Sequence, residues 1–558
     1  MKKMLSVLLT AVLALSALVL PASAGEETLS FAAASDLHYN QPRAALEGEI
    51  DDPVYWYANR RAAMEDESGF IIDEFLAQCA ADDTVEFVLI AGDMADNGRR
   101  LIEEHLDVAE KFRRFEQSTG KQIYVIDGNH DMGNDSACDA AKFKEVYAEF
   151  GYDEALTVDG ESCSYTADVG GKYRLIALDS CDPSKSTEDG MTPARVSWVL
   201  SQAKQAKTDG KYPILMMHHN LLDHLPAQRI VSHDFIIRSH LATASLFADA
   251  GIRMVISGHE HCSDAAVHTS ALGGRIYDFA VTSLSMYPLQ YRYFTLTDRE
   301  IAYEARTVSH IDTDALTAAV DGYTPRQLEA MNADLNAYAK GFLKKGVEYR
   351  LSLSLTPEKM GIDENALYGK FVMKLVDRLT GIAAAPYYGE DSVSALAARY
   401  GIDLPQTDYA NPWDLATELV SWHYAGEEHF DLDSDEVTLL LKTVAVIARA
   451  ELSGEDPAAL TAAADALNAD GAADALIARA GALLEGISPA ERFAVAALSP
   501  FLYEFAYDAD GVNDNNGAVP GYGEDELSAR AEYLLDAFRA LFERIAKYLS
   551  LIFGYLSR

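Results

Sequence analysis

Apolar runs that suit β-strands alternate with helical patterns over the first half of the chain. β-Branched and aromatic residues cluster at 85–91 and 123–126 and predict strands. Apolar residues at helical spacing predict helices over 60–79 and 101–115. A further strand is predicted at 173–178. This alternation predicts β-sheets with helices on their faces, which is a layered α/β or α+β fold.

The pattern changes near residues 307–315. From 326 to 500 the chain is rich in Ala and Leu at helical spacing, as in Leu439-Leu440-Leu441 followed by Val444. No strand pattern is evident in this stretch. We therefore expect a mostly α-helical domain, followed by a strongly amphipathic helix over 526–558.

The first 24 residues have the pattern of a secretory signal peptide. Lys2 and Lys3 precede an apolar run, and small residues lead up to Ala24, as is typical of a cleavage site. The run is short for a membrane span, so cleavage after Ala24 and a secreted or extracellular protein are expected. The predicted organisation is a leader (1–24), a layered domain (25–310), a helical domain without an assigned role (311–525) and a terminal amphipathic helix (526–558).

Asp, Asn or His directly follows each of five predicted strands. The carboxyl ends of strands in an open sheet form the edge where sites are built, and Asp and His are costly to bury without partners. Their oxygen and nitrogen atoms suit divalent metals. The five stretches are Asp36-Leu37-His38, Gly92-Asp93 with Asp96, Gly128-Asn129-His130-Asp131, His218-His219 and Gly258-His259-Glu260-His261.

In this order, the five stretches resemble the motifs of the calcineurin-like metallophosphoesterase family. The resemblance covers residues 29–306, about half of the chain. It implies a sandwich of two mixed β-sheets flanked by helices. It also implies an enzyme that hydrolyses phosphoric ester bonds with two divalent metal ions, such as Mn, Fe or Zn.

The resemblance also implies a role for each matched residue. His218 is preferred to its neighbour His219 because the ligand is usually the first residue after the strand, although Asn220 stands where relatives often have Pro. The first ion would be bound by Asp36, His38, Asp93 and His261, and the second by Asp93, Asn129, His218 and His259.

The expected reaction is an in-line attack on phosphorus by a hydroxide that both ions activate. His130 would protonate the departing alkoxide, and Asp96 or Asp131 would orient His130. Met94, rather than Tyr, follows close on Asp93, so the purple acid phosphatase variant with a tyrosinate ligand is not expected.

The charge of the chain limits its partners. The formal net charge of −41 repels nucleic acid and anionic lipid. A small phosphate ester is therefore the expected substrate, and no nucleic-acid polymer is expected as a partner. Basic residues within 526–558 leave a weak association with a membrane surface open, and no protein partner is indicated.

The cysteines do not form a disulfide scaffold, because there are only five and their number is odd. Whether Cys163 and Cys181 pair is left open.

Three functions remain open. The first is a secreted phosphoesterase that acts on small monoesters or diesters. The second is a surface-associated binding protein with a vestigial metal site, and the third is a peripheral membrane phosphodiesterase that acts on lipid head groups. The first is favoured because every motif retains its ligand residues.

Overall fold

The structure is a computed structural model, and it describes residues 28–41, 63–185, 187–225, 228, 232–354, 368–428, 431–469, 471–506 and 511–523. The predicted leader, most of the segment between Tyr39 and Asn59, and the predicted terminal helix lie outside the described residues. Within the described ranges, no helix is both long enough and apolar enough to cross a membrane.

Thirteen strands and fifteen α-helices are described below by their bounds. The strands are β1 (Leu29–Ala34), β2 (Phe87–Ala91), β3 (Gln122–Ile126), β4 (Thr157–Val158), β5 (Tyr165–Gly170), β6 (Tyr173–Leu178), β7 (Tyr212–Met217), β8 (Met254–Ser257), β9 (Asp264–Thr269), β10 (Arg275–Ala280), β11 (Gln290–Leu296), β12 (Glu300–Thr307) and β13 (Asn516–Pro520). The helices of the first half are α1 (Ser68–Ala81), α2 (Ile102–Thr119), α3 (Ala140–Val146), α4 (Pro193–Thr208) and α5 (His240–Ala250), with a short π-helical turn at Ala148–Tyr152. The later helices are α6 (Thr313–Ala319), α7 (Pro325–Ala333), α8 (Leu335–Ser354), α9 (Gly369–Ala383), α10 (Val393–Arg399), α11 (Pro412–Ala425), α12 (Asp435–Leu452), α13 (Pro457–Leu467), α14 (Asp474–Leu483) and α15 (Pro489–Ala506).

The strands form two mixed sheets. The first sheet has the order β13-β12-β11-β1-β2-β3, and the second has the order β4-β5-β6-β7-β8-β10-β9. β1, β2 and β3 are parallel to one another, and so are β6, β7, β8 and β10. This arrangement confirms the predicted sandwich of two mixed sheets with flanking helices.

The central strands are buried on both faces, which explains their unbroken apolar sequences. All residues of β1 (LSFAAA) and of β2 (FVLIA) are buried. Thr192 caps the start of α4, since its side chain accepts a hydrogen bond from the main-chain N–H of Arg195. Because β1, β2 and β3 are parallel, their carboxyl ends lie at one edge of the first sheet. The carboxyl ends of β7 and β8 lie together at one edge of the second sheet.

The structure corrects the predicted limits of the helical domain. Leu316, Leu335 and Phe342 pack into the same core as the sheets, whereas a separate core extends from Phe371 to Leu502. We call residues 368–506, as far as they are described, the helical region. The two sheets with α1–α8 form the sandwich.

β13 also falls within the predicted helical domain, yet it belongs to the first sheet. It pairs antiparallel with β12, so that Val519 lies opposite Ile301. Pairing with β13 covers the backbone groups that β12 would otherwise expose at the sheet edge. The short sequence NGAVP shows no strand periodicity, which is why the pattern along the chain did not predict it.

All five cysteines are buried free thiols, and Cys163 and Cys181 are not joined.

Candidate metal centre and active site

The candidate ligands lie on the loops that follow five strands, three from the first sheet and two from the second. Asp36, Asp93, His218 and His259 each place one ligand atom within 4.8 Å of the others. Asp36, His38 and His261 form a second group, with the same limit of 4.8 Å between their ligand atoms. We call these residues, together with Asn129, the Asp–His centre.

Asp93 lies between the two predicted ligand sets. Its Oδ2 atom is 3.8 Å from His38 Nε2 and 3.4 Å from His218 Nε2. On the other side, His261 Nε2 lies 3.1 Å from Asp36 Oδ1. The carboxylate at the end of β2 therefore lies between His38 and His218, and Asp36 belongs to both groups of candidate ligands.

The hydrogen bonds distinguish His218 from His219. His218 Nδ1 donates to the carbonyl oxygen of Ala91 at 2.9 Å, which leaves Nε2 free for a metal. That Nε2 atom is 2.9 Å from Asn129 Oδ1. His219 instead contacts Ser180 Oγ at 3.0 Å and the carbonyl oxygen of Thr187 at 2.9 Å. His218 thus faces the centre, and His219 packs behind it.

In the Asp–His centre, hydrogen bonds do not fully satisfy the buried carboxylate charge and the imidazole lone pairs. Asp93 Oδ2 is buried without a hydrogen-bond donor among the described residues. Imidazole nitrogens approach each other at 3.2 Å between His38 and His261 and at 3.1 Å between His218 and His259. Cations placed between these atoms would satisfy the carboxylates and the imidazole lone pairs together. The residues present therefore fit a divalent metal centre.

The pKa shifts of the buried side chains also indicate that carboxylate charge in the centre favours a cation. Burial opposes ionisation of Asp93, but His218 and His130 hold the pKa of its carboxyl well below the usual range. Burial likewise opposes protonation of His218, but Asp93 and Asp36 raise its pKa to about 10. Burial and the neighbouring His218 lower the pKa of His219 to about 3. A positive charge is therefore favoured at His218, which faces Asp93, and disfavoured at His219, which packs behind His218.

The backbone is strained at the centre. Five of its residues are non-glycine residues with positive φ, at 49° for Asp36, 42° for His38, 52° for Asp93, 68° for His259 and 65° for His261. Such conformations cost on the order of 1–3 kcal/mol each and cluster at functional sites. They turn each ligand back toward the edge of the sheet directly after its strand ends.

Two glycines of the motifs are required because the ligands approach the backbone closely. A Cβ atom at Gly128 would lie 2.1 Å from Asp93 Oδ1, and one at Gly258 would lie 2.4 Å from Asp36 Oδ2. Any side chain at these positions would displace a ligand.

Several residues that the sequence did not single out hold the ligands in place. Ser35 Oγ donates to Asp36 Oδ2 at 2.6 Å, and the Ser283 hydroxyl donates to the carbonyl oxygen of Asp36 at 2.8 Å. Asn220 Nδ2 donates to the carbonyl oxygen of Gly258 at 3.0 Å. Asn220 thus positions the Gly-His-Glu-His loop through its side-chain amide.

His130 lies at the rim of the centre with its side chain 21% exposed. Its Nδ1 donates to the carbonyl oxygen of Asp96 at 2.8 Å, and its main-chain N–H donates to Asp93 Oδ1 at 2.8 Å. The carboxylate of Asp96 is 3.1 Å from His38 Nδ1 and 3.6 Å from His130 Nδ1. Asp96 therefore lies against both histidines, through its main-chain carbonyl at His130 and its carboxylate at His38.

Asp131 does not have the predicted role of orienting His130. Its carboxylate is fully buried and accepts hydrogen bonds from the main-chain N–H groups of Gly128 and Ala95, at 2.8 and 3.1 Å. Burial, together with the charge of Asp93, raises its pKa to about 8. Asp131 ties the loop after β3 to the loop after β2, because two backbone donors are better partners for a buried carboxyl than an exposed imidazole.

Described residues between 220 and 240 contribute to the buried surroundings of the site. His224 is buried between Asp264 and Asp278, with Nδ1 at 2.7 Å and Nε2 at 3.2 Å from their oxygens. The ring of Phe235 stacks on that of His259, with centroids 4.2 Å apart. Phe235 has no motif around it, so the sequence offered no means of finding it.

Comparison with known proteins supports the assignment of this domain. Residues 29–263 match the family described as calcineurin-like phosphoesterase, which confirms the resemblance seen in the five motifs and the prediction of a phosphoester hydrolase domain. The chain is 31% identical over 103 residues to an uncharacterized metallophosphoesterase of Bacillus subtilis, YhaO. That alignment covers 18% of this chain and 23% of the relative, so the chain spans about a quarter of the relative's length.

Two solved structures are similar at low sequence identity. One is a dimetal phosphatase from Danio rerio, at 12% identity and a TM-score of 0.36, covering 50% of this chain and 96% of that one. The other is GAP50, the anchor in the inner membrane complex of Plasmodium, at 12% identity and a TM-score of 0.30, covering 50% of this chain and 84% of that one.

Proposed function

We propose that this chain, whose residues 29–263 belong to the calcineurin-like phosphoesterase family, hydrolyses small phosphomonoesters or phosphodiesters with the help of two divalent metal ions. The observation that carries the proposal is the convergence of ligand atoms from four loops in two overlapping groups, in each of which the atoms lie within 4.8 Å of one another. One group alone would hold one ion, whereas two groups that share a carboxylate suit a pair.

The residues divide into two ligand sets around Asp93. When bound, a pair of divalent ions polarises the phosphoryl group and lowers the pKa of water at the site. The Asp93 carboxylate faces both His38 and His218, so it would be the ligand that the two proposed sets share. The first set is Asp36, His38, Asp93 and His261, and the second is Asp93, Asn129, His218 and His259.

His130 is the proposed proton donor to the leaving group. The carbonyl oxygen of Asp96 holds its Nδ1–H, so that Nε2 delivers the proton to the departing oxygen. Its partial exposure places it where a substrate enters. Asp96 keeps the ring in this orientation, and Asp131 keeps the loop beneath it in place.

The substrate class follows from charge. The formal net charge of −41 disfavours long polyanions, while the metal centre supplies a local positive site for a single phosphate group. A small ester combines one anionic group with little other negative charge. This is why we propose a small substrate and not a nucleic acid.

Export of the protein is part of the proposal. It is supported by Lys2, Lys3 and the apolar run that ends in small residues before Gly25. Terminal sequencing of the protein recovered from the medium of the native host tests it, with a start at Gly25 as the expected result. A protein found inside the cell with Met1 intact would contradict it.

Hydrolysis of p-nitrophenyl phosphate and bis-p-nitrophenyl phosphate tests the activity. The mature chain would be reconstituted with Mn, Zn or Fe and compared with Asp93→Asn. We expect metal-dependent turnover that falls at least about 10³-fold in the variant, because the bridging carboxylate becomes a neutral amide. The ratio of the two rates decides between monoester and diester.

Asp73→Asn is a matched control, since Asp73 is an exposed carboxylate on α1 that pairs with Lys111. It should retain wild-type turnover. A chain that binds no metal would contradict the proposal. Two equivalents of metal without turnover on either substrate or on a panel of natural small phosphate esters would favour a binding protein with a vestigial metal site.

A further inference from the structure

We propose that Asp127, Asp179 and Cys181 bind a divalent cation of the zinc type, separate from the Asp–His centre. One ligand atom from each of these residues lies within 4.8 Å of the other two. Asp127 directly follows β3 of the first sheet, and Asp179 directly follows β6 of the second. A cation at this position would therefore link the ends of strands from both sheets.

The strongest observation is the state of Asp127. The residue is completely buried, and both of its carboxylate oxygens are without a hydrogen-bond partner among the described residues. Asp131, which is equally buried, shows the usual alternative, because it accepts two main-chain N–H groups. A buried carboxylate without a hydrogen-bond donor must either bind a cation or carry a proton.

Asp179 is already oriented as a ligand would be. Its Oδ1 accepts a hydrogen bond from the Cys181 N–H at 3.0 Å, and its Oδ2 accepts one from the Cys163 N–H at 3.1 Å. Each oxygen retains a second lone pair, because a carboxylate accepts at about four positions. The backbone thus fixes the side chain before any ion binds, as partners behind metal ligands do.

Charge balance is consistent with a divalent ion. Two carboxylates and a thiolate carry three negative charges. Arg195 supplies one positive charge, with Nη2 at 3.4 Å from Asp179 Oδ2 and Nη1 donating to the carbonyl oxygen of Cys181 at 2.7 Å. A divalent cation supplies the remaining two charges, so the buried group as a whole would be neutral.

The donor types select the metal. A thiolate with two carboxylates suits zinc, whereas magnesium and calcium prefer oxygen alone. The main-chain carbonyl of Asp127, whose oxygen is 3.9 Å from Cys181 Sγ, offers a fourth ligand beside the three side chains. Zinc is usually tetrahedral in structural sites, which matches this number of ligands.

The ion would act on the catalytic loop through the chain itself. Asp127 immediately precedes Gly128, Asn129 and His130. Holding Asp127 against β6 fixes the start of the loop that supplies one predicted ligand and the predicted proton donor. The proposal does not depend on phosphoesterase activity, because it rests on atoms outside the Asp–His centre.

Cobalt substitution of the full-length protein tests the site. Co²⁺ bound to a thiolate gives a charge-transfer band in the near ultraviolet, and the Asp–His centre has no cysteine that could produce it. We expect this band in the wild type together with a third equivalent of metal. Cys181→Ser should lose both the band and that equivalent, while Cys163→Ser, a matched change of a neighbouring buried thiol, should retain both.

Asp127→Asn provides a second variant that keeps the size of the side chain. We expect its affinity for the third Co²⁺ ion to fall by at least about 10-fold, since even loss of a group behind a ligand has that effect. Absence of the band in the wild type, with only two equivalents bound, would overturn the proposal and indicate a protonated Asp127. Retention of the band in Cys181→Ser would also overturn it. Neither result depends on turnover, so a failure here is distinct from a failure of the proposed function.

Discussion

The sandwich and the helical region differ in what their buried interiors contain. Among the described residues, eight of the nine non-glycine residues with positive φ lie in the sandwich, and only Glu485 lies in the helical region. The core of the helical region is built mainly of Leu, Ala and Val side chains with a few aromatic rings, such as Leu441 and Phe493. Among the described residues, the sandwich therefore carries nearly all of the left-handed backbone, much of it at the candidate site, whereas the helical region has an apolar core.

The two regions nevertheless meet beside the site. The Ser263 N–H donates to the carbonyl oxygen of Tyr424 on α11 at 3.1 Å, and Ser263 lies two residues after His261. Asn515 bridges the same junction, since its Oδ1 accepts from Ser263 Oγ at 2.9 Å and its Nδ2 donates to the carbonyl oxygen of Ala425 at 2.7 Å. The helical region thus buttresses the Gly-His-Glu-His loop.

The largest expected effect comes from a change inside the strained centre. Gly258→Ala would place a Cβ atom 1.9 Å from Ser35 Oγ, which must displace Asp36. We expect turnover to fall by about 10²–10³-fold, because small displacements of positioned groups have effects of this order. Steady-state kinetics and metal analysis of the same preparation measure it. Gly454→Ala, where a Cβ atom meets nothing within 4 Å, is the control, and equal rates for the two variants would contradict the geometry.

A change in the packed core of the helical region should act on stability alone. Leu441 is 1% exposed, and Leu441→Ala should lower the free energy of unfolding of this region by about 2–5 kcal/mol. Thermal unfolding followed by circular dichroism measures the loss. Metal stoichiometry at 25 °C should not change. If Leu441→Ala abolished metal binding while remaining folded, the separation of the two regions would be wrong.

A change at the junction between the sandwich and the helical region should lower both stability and turnover. Asn515→Ala leaves the carbonyl oxygens of Ala425 and Gly426 without their donor, a loss worth about 1–3 kcal/mol. We expect a lower melting temperature and a loss of turnover that is smaller than that of Gly258→Ala. Asn468→Ala, on an exposed turn within the helical region, should lower stability without changing turnover. A variant Asn515→Ala with wild-type turnover would show that the contact serves stability only.

The smallest expected effect is on pH dependence. His105 is fully buried between Tyr147 Oη and the carbonyl oxygen of Asp131, and burial lowers its pKa to about 4. The folded state disfavours protonated His105, so its contribution to stability is complete above the ordinary pKa of 6.5. That contribution is lost as the pH falls from 6.5 toward 4. Melting temperatures of wild type and His105→Gln at pH 7 and pH 4.5 should show a smaller drop in the variant, and parallel drops would contradict this assignment.

Much of the fold could be predicted because its strands are local features. The strands at 85–91, 123–126 and 173–178 were expected close to their observed bounds, since parallel strands buried on both faces have continuous apolar sequences. β9 and β13 were not expected. β9 contains Asp264 and His268, and β13 is short and rich in Gly and Pro, so neither has the apolar pattern of a strand.

The sequence by itself determined which side chains are the candidate ligands. Asp36, Asp93 and His218 follow their strands directly, and a strand end needs no distant partner to be recognised. Tertiary structure alone decided what each of them faces. Asp131 looked like a partner of His130 but binds the backbone instead, and Asp127 meets Asp179 only because β3 and β6 lie in different sheets that pack together. The physical reason is that periodicity and turn residues act over a few neighbouring positions, whereas the contacts of a buried side chain are set by how two sheets stack across the core.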